Sequence, residues 1–128
     1  MMLNVAIRNT RANAYTTALG ASATVRAYSG TPPATPDTAL SGNTMLAQGT
    51  YAATPFPGAS AGAMTSNAIT GANAAASGTP TFYRTYATDG TTCVAQHNTT
   101  DFVVTPAALT SGVAVSWSAI SHTEPVGT

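Results

Sequence analysis

The sequence predicts a mainly β protein, an antiparallel β-sandwich or jelly roll with one N-terminal helix, in a single domain over residues 1–128. After residue 20, short runs of β-branched and aromatic residues alternate with Gly, Pro, Asn and Asp, which is the pattern of strands joined by turns. Several runs alternate apolar with polar residues, so a second layer is needed to cover the apolar face. A chain of 128 residues has room for one ordinary domain.

Helical spacing is confined to the N-terminal segment, about residues 5–19. The positions at i, i+4, i+7, i+8, i+11 and i+12 are Ile7, Arg11, Ala14, Tyr15, Ala18 and Leu19. Asn4 stands at the N-cap position, and Gly20 stands where a residue of positive φ ends many helices. The sequence therefore predicts one helix with defined ends.

Seven strands follow, and they are predicted over residues 23–28, 44–51, 63–70, 81–87, 91–97, 100–105 and 113–121. The best-defined pair flanks Asp89-Gly90, because this dipeptide suits the positive φ angles of a tight hairpin turn. In the last strand Val113, Val115 and Trp117 share one face. We expect these three side chains to be buried and the intervening Ala and Ser residues to face the solvent.

Two proline-rich connectors, residues 29–38 and 54–62, are expected to be surface loops available for contacts. Pro32, Pro33 and Pro36 restrict the first connector before it binds anything. Docking of such a segment loses less conformational entropy than docking of a flexible one. The sequence therefore predicts that the first connector is a stiff contact segment.

Charged residues make up 6% of the chain, compared with about 25% in a typical globular domain, and lysine is absent. Four scattered arginines cannot form a basic stripe, which excludes nucleic acid as a main partner. Because lysine often protects strand edges, its absence suggests that another subunit covers an edge. No 18-residue apolar window predicts a membrane span, and Arg8, Asn9 and Arg11 interrupt the first apolar run, so no secretory signal is expected.

One short motif matches a catalytic pattern by composition alone. Residues 58–62, GASAG, fit the G-x-S-x-G pattern of a hydrolase, with Ser60 in the nucleophile position. That motif requires a strand before it and a helix after it, whereas Pro55 and Pro57 precede this one. We therefore expect no enzymatic activity from it.

Cys93 and His97 lie four residues apart, so on a regular strand they share a face and, with His122 or Asp101, raise the question of a metal site. Four ligands with a recognised spacing are not present. A half-buried thiol and a solvated histidine are the favoured interpretation, with no metal and no cofactor. The acids Asp37, Asp89, Asp101 and Glu124 all fall at predicted turns or termini, where they accept local hydrogen bonds.

Aromatic and arginine side chains on the strands allow two kinds of binding surface. Tyr83, Tyr86 and Trp117 are candidates for a sugar-stacking platform, but Tyr83 and Tyr86 project from opposite faces of an ideal strand, so at least one belongs to the core. Arg26 and Arg84 are each flanked by aromatic residues. Either their stems pack over the sheet with the guanidinium groups exposed, or each arginine reaches a carboxylate on a neighbouring subunit.

Most of the chain, roughly residues 8–122, resembles small virion proteins of tailed bacteriophages. The resemblance lies in "RNTRANAYTTALGASATVRAYSGTPPA", "GAMTSNAITGANAAASGTPTFYRTYATDGTTCVAQ" and "LTSGVAVSWSAISH". Its features are a helix closed by A-L-G, a strand ending in Y-x-G before prolines, a G-T-x-x-x-Y-R strand, a D-G-T-T hairpin and a final S-G-x-x-V strand.

This resemblance implies a capsid decoration, or cement, protein that is made in the host cytoplasm and binds the outer surface of the capsid. Its expected partners are the major capsid protein, whose neighbouring subunits it clamps, and itself, as a dimer in preference to a trimer. Many weakly bound copies hold a shell firmly. The alternatives are a phage tail or fibre component and a carbohydrate-binding surface module. The candidate contact residues are Arg8, Arg11, Arg26, Pro32, Pro33, Pro36 and Arg84.

Overall fold

The structure is a computed structural model that describes residues 1–127, and it contains one helix and nine short strands. The helix α1 spans Val5–Leu19. The strands are β1 (Thr24–Tyr28), β2 (Met45–Thr50), β3 (Ala63–Thr65), β4 (Thr70–Gly71), β5 (Phe82–Tyr86), β6 (Cys93–His97), β7 (Val104–Thr105), β8 (Ser116–Trp117) and β9 (Ser121–Thr123). The prediction of a mainly β, antiparallel fold with a single N-terminal helix is confirmed.

Five strands form the main sheet, in the order β4-β2-β1-β5-β6, and every neighbouring pair is antiparallel. The other four form two separate ribbons, β3 with β9 and β7 with β8. The ribbons, α1 and their loops contribute side chains to one large apolar cluster against the main sheet. The layering is therefore β-sandwich-like, with two short ribbons and a helix in place of a second full sheet.

Both faces of the main sheet are covered, each by a different apolar cluster. One face carries Val25 and Tyr83, which belong to the large cluster together with Trp117 of β8. The opposite face carries Tyr28, Phe82 and Tyr86, a smaller cluster completed by Leu40 and Cys93. Because successive strand residues point to opposite faces, one strand such as β5 supplies both clusters.

The predicted ends of α1 are confirmed. The side-chain oxygen of Asn4 accepts a hydrogen bond from the Ile7 amide at 2.9 Å, and Gly20 has a φ of 73°. The residues at the helical spacing do not form one buried face, because the buried helix residues are Ala12 and Leu19 while Ile7 is 48% exposed. The helix lies at the surface with a narrow apolar stripe, so the apolar residues of its first turns remain in solvent.

Two of the predicted strands are each split in two. Residues 63–70 contain β3 and the first residue of β4, and residues 113–121 contain β8 and the first residue of β9, because the two parts of each run pair with different partners. Val113 is 47% exposed, contrary to the prediction, and its amide donates to the Thr110 carbonyl in a turn before β8. Val115 and Trp117 are buried as predicted.

The hairpin at Asp89-Gly90 is confirmed, although its connection is six residues long and not the tight turn expected. Only Gly90 of the pair has a positive φ, 73°. The Asp89 carboxylate accepts hydrogen bonds from the amides of Thr91 and Thr92 and from the Thr92 hydroxyl. These bonds, with the Thr92 hydroxyl first, lower the pKa of Asp89 to about 2.

Candidate interaction surface

The first proline-rich connector, residues 29–38, lies over the smaller aromatic cluster of the main sheet, and we call it the arm. Nη2 of Arg84 donates to the Thr35 carbonyl at 3.1 Å and to the Thr38 carbonyl at 2.7 Å. Nε2 of Gln96, on the adjacent strand, donates to the Pro33 carbonyl at 2.7 Å. The sheet therefore holds the C-terminal part of the arm, from Pro33 to Thr38, through three hydrogen bonds.

The N-terminal end of the arm is also held by hydrogen bonds from side chains to its carbonyl groups. Nδ2 of Asn43 donates to the carbonyls of Ser29 and Thr31, at 3.1 and 2.9 Å, and the Thr81 hydroxyl donates to the Gly30 carbonyl at 2.6 Å. Prolines remove backbone donors, so the arm cannot pair as a strand. Its carbonyls still require partners, and side-chain donors from the sheet and its loops supply them.

The outer side of the arm faces the solvent. Pro32 is exposed, while Pro33 and Pro36 are half-buried against the protein. The other exposed arm residues are Gly30, Thr31, Ala34, Thr35, Asp37 and Thr38. The arm is thus an ordered segment that offers a polar surface with one charged side chain.

Arg26 and Arg84 stand directly opposite each other on β1 and β5, in a row of four polar residues across the sheet. Gln48 on β2 is opposite Arg26, and Gln96 on β6 is opposite Arg84. Nε of Arg26 donates to the Gln48 side chain at 2.7 Å, and Nε of Arg84 donates to the Gln96 side chain at 2.9 Å. Sequence reasoning missed these two glutamines, although they are the only ones in the chain.

The two arginines differ in exposure. Arg84 is only 3% exposed, so its guanidinium is a buried anchor for the arm. Arg26 is half-buried, and its guanidinium carbon lies 4.4 Å from the centre of the Tyr86 ring, a cation–π contact. The structure therefore brings Arg26, Arg84 and the arm prolines together on one side of the main sheet.

The two helix arginines lie apart from this surface. Nη1 of Arg8 donates to the Ala61 carbonyl at 3.0 Å, and Nη2 of Arg11 lies 3.2 Å from a Glu124 carboxylate oxygen. The side-chain oxygen of Asn9 accepts from the Gly62 amide at 2.7 Å. These polar contacts dock α1 on the loop at residues 58–62 and beside β9.

The GASAG segment forms a two-residue hairpin turn. The backbone groups of Ser60 and Ala63 exchange two hydrogen bonds of 2.9 Å, and Ala61 and Gly62 between them have φ angles of 52° and 79°. Strand β3 follows this turn. The local geometry is therefore that of a β-hairpin and not that of a strand–turn–helix nucleophile elbow.

Both histidines meet at a cavity of about 280 Å³ between α1, β6 and β9. Nε2 of His97 lies 2.9 Å from the Thr85 hydroxyl, and Nδ1 lies 3.6 Å from a carboxylate oxygen of Asp101. Nε2 of His122 lies 2.9 Å from a Glu124 carboxylate oxygen. Burial lowers the pKa of His97, and the neighbouring Asp101 carboxylate opposes that shift.

Cys93 and His97 do not share a face, contrary to the expectation from their spacing. The β5–β6 register shifts between Thr85 and Tyr86, which indicates a β-bulge near Val94. Cys93 therefore packs beside Tyr86, while His97 lines the cavity on the other side. Burial raises the pKa of the Cys93 thiol, and within residues 1–127 no group of three or more His, Cys, Asp or Glu residues is arranged to hold a metal ion.

The three aromatic residues considered for sugar stacking are all buried. Tyr83, Tyr86 and Trp117 are 3%, 5% and 9% exposed. Tyr83 and Trp117 are in edge contact inside the large cluster, with ring centres 5.8 Å apart, whereas Tyr86 lies on the other face of the sheet. These rings therefore form no exposed platform.

Comparisons with protein-family models, curated proteins and solved structures found no significant match for this chain. Within the described part of the chain, the one helix is neither long nor apolar enough to cross a membrane. The function is therefore inferred from the surfaces described above and from the resemblance in sequence pattern.

Proposed function

We propose that this chain is a non-enzymatic virion structural protein that binds the outer surface of a phage capsid and clamps neighbouring major capsid subunits. The observation that carries the proposal is the preorganised arm. Six side-chain hydrogen bonds, from Arg84, Gln96, Asn43 and Thr81, hold it in place. An ordered segment loses little conformational entropy on docking, which suits a protein that binds a fixed lattice.

The charge distribution fits the same role. Asp37 is the one charged residue on the arm, so the contact would come from hydroxyl groups, proline rings and backbone groups. Such contacts are individually weak. Many copies on a shell, each also touching a symmetry mate, reach firm attachment through effective concentration. A dimer is the form of self-association that we propose.

The alternative of a tail or fibre component would use the same arm on another virion surface. The carbohydrate-binding alternative has less support, because its three candidate rings are buried. A direct binding measurement separates the capsid from the tail or fibre.

The test mixes the purified protein with decoration-free phage capsids, sediments the capsids and counts the bound copies per shell. We expect saturation at a fixed number set by the capsid symmetry. A protein that stays in the supernatant at all concentrations would contradict the capsid proposal. Analytical ultracentrifugation of the free protein checks the expected dimer.

Point substitutions test the arm more cleanly than deletion of residues 31–38, which would leave the buried Arg84 without two of its acceptors. Ala34→Arg places a large, positively charged side chain on the exposed side of the arm. Ala68→Arg is the matched control. Ala68 is exposed, and its neighbour Ile69 belongs to the large cluster on the face of the sheet opposite the arm. We expect Ala34→Arg to weaken capsid binding about 10-fold or more, because docking of the arm would bury an unpaired charge, which is costly. Equal binding by both variants would exclude the arm as the contact.

A further inference from the structure

A second cavity, of about 420 Å³, lies where the arm ends, between residues 36–40 and the β5–β6 hairpin. Arg84, Tyr86 and Cys93 line it from the sheet. Thr91 and Thr92 line it from the hairpin, and Pro36, Asp37, Thr38, Ala39 and Leu40 complete its walls. The buried cation of β5 therefore borders an open space beside the proposed contact segment.

The positive charge at this cavity has no counter-ion among residues 1–127. Within residues 1–127, neither Arg26 nor Arg84 lies within 4.0 Å of a carboxylate oxygen. Their partners are glutamine side chains, backbone carbonyls and, for Arg26, the Tyr28 side chain, all of which are neutral. Buried charges in proteins are normally paired, and like charges directly across a sheet repel each other. Arg84, which lines the cavity, and Arg26, which stands opposite it on β1, therefore both lack a carboxylate partner among these residues.

Donor groups remain free at the same place. Nε and Nη2 of Arg84 make three hydrogen bonds, whereas Nη1 makes none among the described residues. Arg26 does not itself line the cavity. Its Nε donates to Gln48, its side chain also interacts with Tyr28, and its guanidinium stacks on the Tyr86 ring that lines the cavity. The cavity therefore combines a cation, unused N–H groups and an aromatic wall.

The acids nearest to the cavity do not neutralise it. Asp37 is exposed on the wall and forms no ion pair with Arg84. Asp89 in the hairpin is exposed, and its carboxylate is occupied by Thr91 and Thr92. Charges in open solvent are screened, so they offset a buried guanidinium only weakly.

From this geometry we infer that the cavity is a carboxylate-binding site that takes the acidic side chain of a partner protein. A planar carboxylate matches the guanidinium fork and forms charge-assisted hydrogen bonds with it. Tyr86, Pro36 and Leu40 give the methylene stem of an Asp or Glu side chain an apolar lining. The identity of the partner as a capsid subunit rests on the proposed function, whereas the carboxylate site itself does not.

The site is tested first on the free protein by NMR. The chain has four arginines and no lysine, so its arginine Nε–Hε spectrum contains four signals, which Arg26→Gln and Arg11→Gln help to assign. Sodium acetate is the probe, and sodium chloride and sodium phosphate at equal ionic strength are the controls. We expect acetate to shift the Arg84 and Arg26 signals saturably and more than the Arg11 signal.

Equal shifts with chloride, or Arg84 and Arg26 shifts no larger than that of Arg11, would overturn the carboxylate site. A larger saturable response to phosphate than to acetate would overturn it in favour of a tetrahedral anion. Arg26→Gln serves as the variant because Arg84 also anchors the arm, so its loss would disturb the fold.

The partner is then tested by capsid sedimentation with Arg26→Gln and with Ala68→Arg, a change of charge at an exposed residue beside the large cluster and away from the cavity. We expect about 10-fold weaker binding for Arg26→Gln and a change below about 2-fold for Ala68→Arg. Acetate binding together with undiminished capsid binding of Arg26→Gln would overturn the capsid carboxylate as the occupant. Capsid binding without any acetate response would overturn this inference and leave the proposed function standing.

Discussion

At the scale of single residues, β5 places two buried polar side chains on opposite faces of the main sheet. Arg84 faces the arm, and Thr85, which is fully buried, faces His97. Tyr15 and Tyr51 are packed on the Thr85 side, and burial raises the pKa of both phenols, so they stay neutral. The His97 imidazole is half-buried on the same side, and burial lowers its pKa.

This arrangement predicts a loss of stability in mild acid. Burial places the pKa of His97 in the folded protein below the unfolded value of about 6.5. The unfolded chain then binds the proton more tightly, so the full stability is present above about pH 6.5 and decreases as the pH falls below it. Urea unfolding at about pH 7.5 and pH 5.5 measures the decrease.

His97→Gln is the test variant, because glutamine retains a hydrogen-bonding group toward Thr85 and cannot titrate. We expect the variant to show a smaller decrease in its free energy of unfolding between the two pH values. Asp101 and His122 border the same cavity and are left unchanged in this comparison. An equal decrease in both proteins would assign the pH dependence to another group.

At the scale of elements, the backbone of the main sheet lies very close to the β7–β8 ribbon. A Cβ atom on Gly71 of β4 would overlap the Val115 carbonyl oxygen just before β8 and crowd the Trp117 ring. Gly49 of β2 also faces the Trp117 ring at close range. Glycine at these positions lets the tryptophan pack directly against the sheet backbone.

Gly71→Ala is therefore expected to lower the free energy of unfolding by about 3 kcal/mol, because backbone atoms must move to admit the methyl group. Gly58→Ala is the matched control, since a Cβ there meets no atom within 4 Å and its φ is not positive. We expect that control to change stability by less than about 1 kcal/mol. Similar losses in chemical denaturation of the two variants would contradict the close approach of β4 and β8.

At the scale of the whole molecule, charge contributes little to holding the fold together. The described residues form one ion pair between groups that are charged at neutral pH, Arg11–Glu124. Two histidine–carboxylate pairs, His97–Asp101 and His122–Glu124, are ion pairs only when the imidazole is protonated, and each of the three pairs includes a partner more than two-fifths exposed. Exposed pairs of this kind are worth roughly 0–1 kcal/mol. The fold instead depends on apolar burial and on hydrogen bonds, most of them between neutral groups.

The stability should therefore be nearly independent of salt. Between about 0.05 and 0.5 M sodium chloride, we expect the free energy of unfolding to change by less than about 1 kcal/mol, because the screened pairs are few and exposed. Urea denaturation at fixed pH gives the measurement. A change above about 2 kcal/mol would mean that charge interactions, including the facing Arg26 and Arg84, matter more than their geometry indicates.

Local signals in the sequence were sufficient for the helix, the hairpin and the fold class. Asn4 and Gly20 define the helix ends through groups within four residues of them. The Asp89 carboxylate likewise binds only Thr91 and Thr92. Interactions of this range join residues that are close in the sequence, so they can be predicted without a structure.

The polar surface was decided only by the tertiary structure. Arg26 and Arg84 are distant in the sequence, and sheet register alone places them opposite each other. A bulge separates Cys93 from His97, which a regular strand would put on one face. Register and bulges follow from how distant segments pack, and a shift of one residue exchanges the two faces of a strand. The sequence by itself therefore determined the helix, the hairpin, the fold class and the scarcity of charge, while long-range packing determined the division of two predicted strands and which side chains meet.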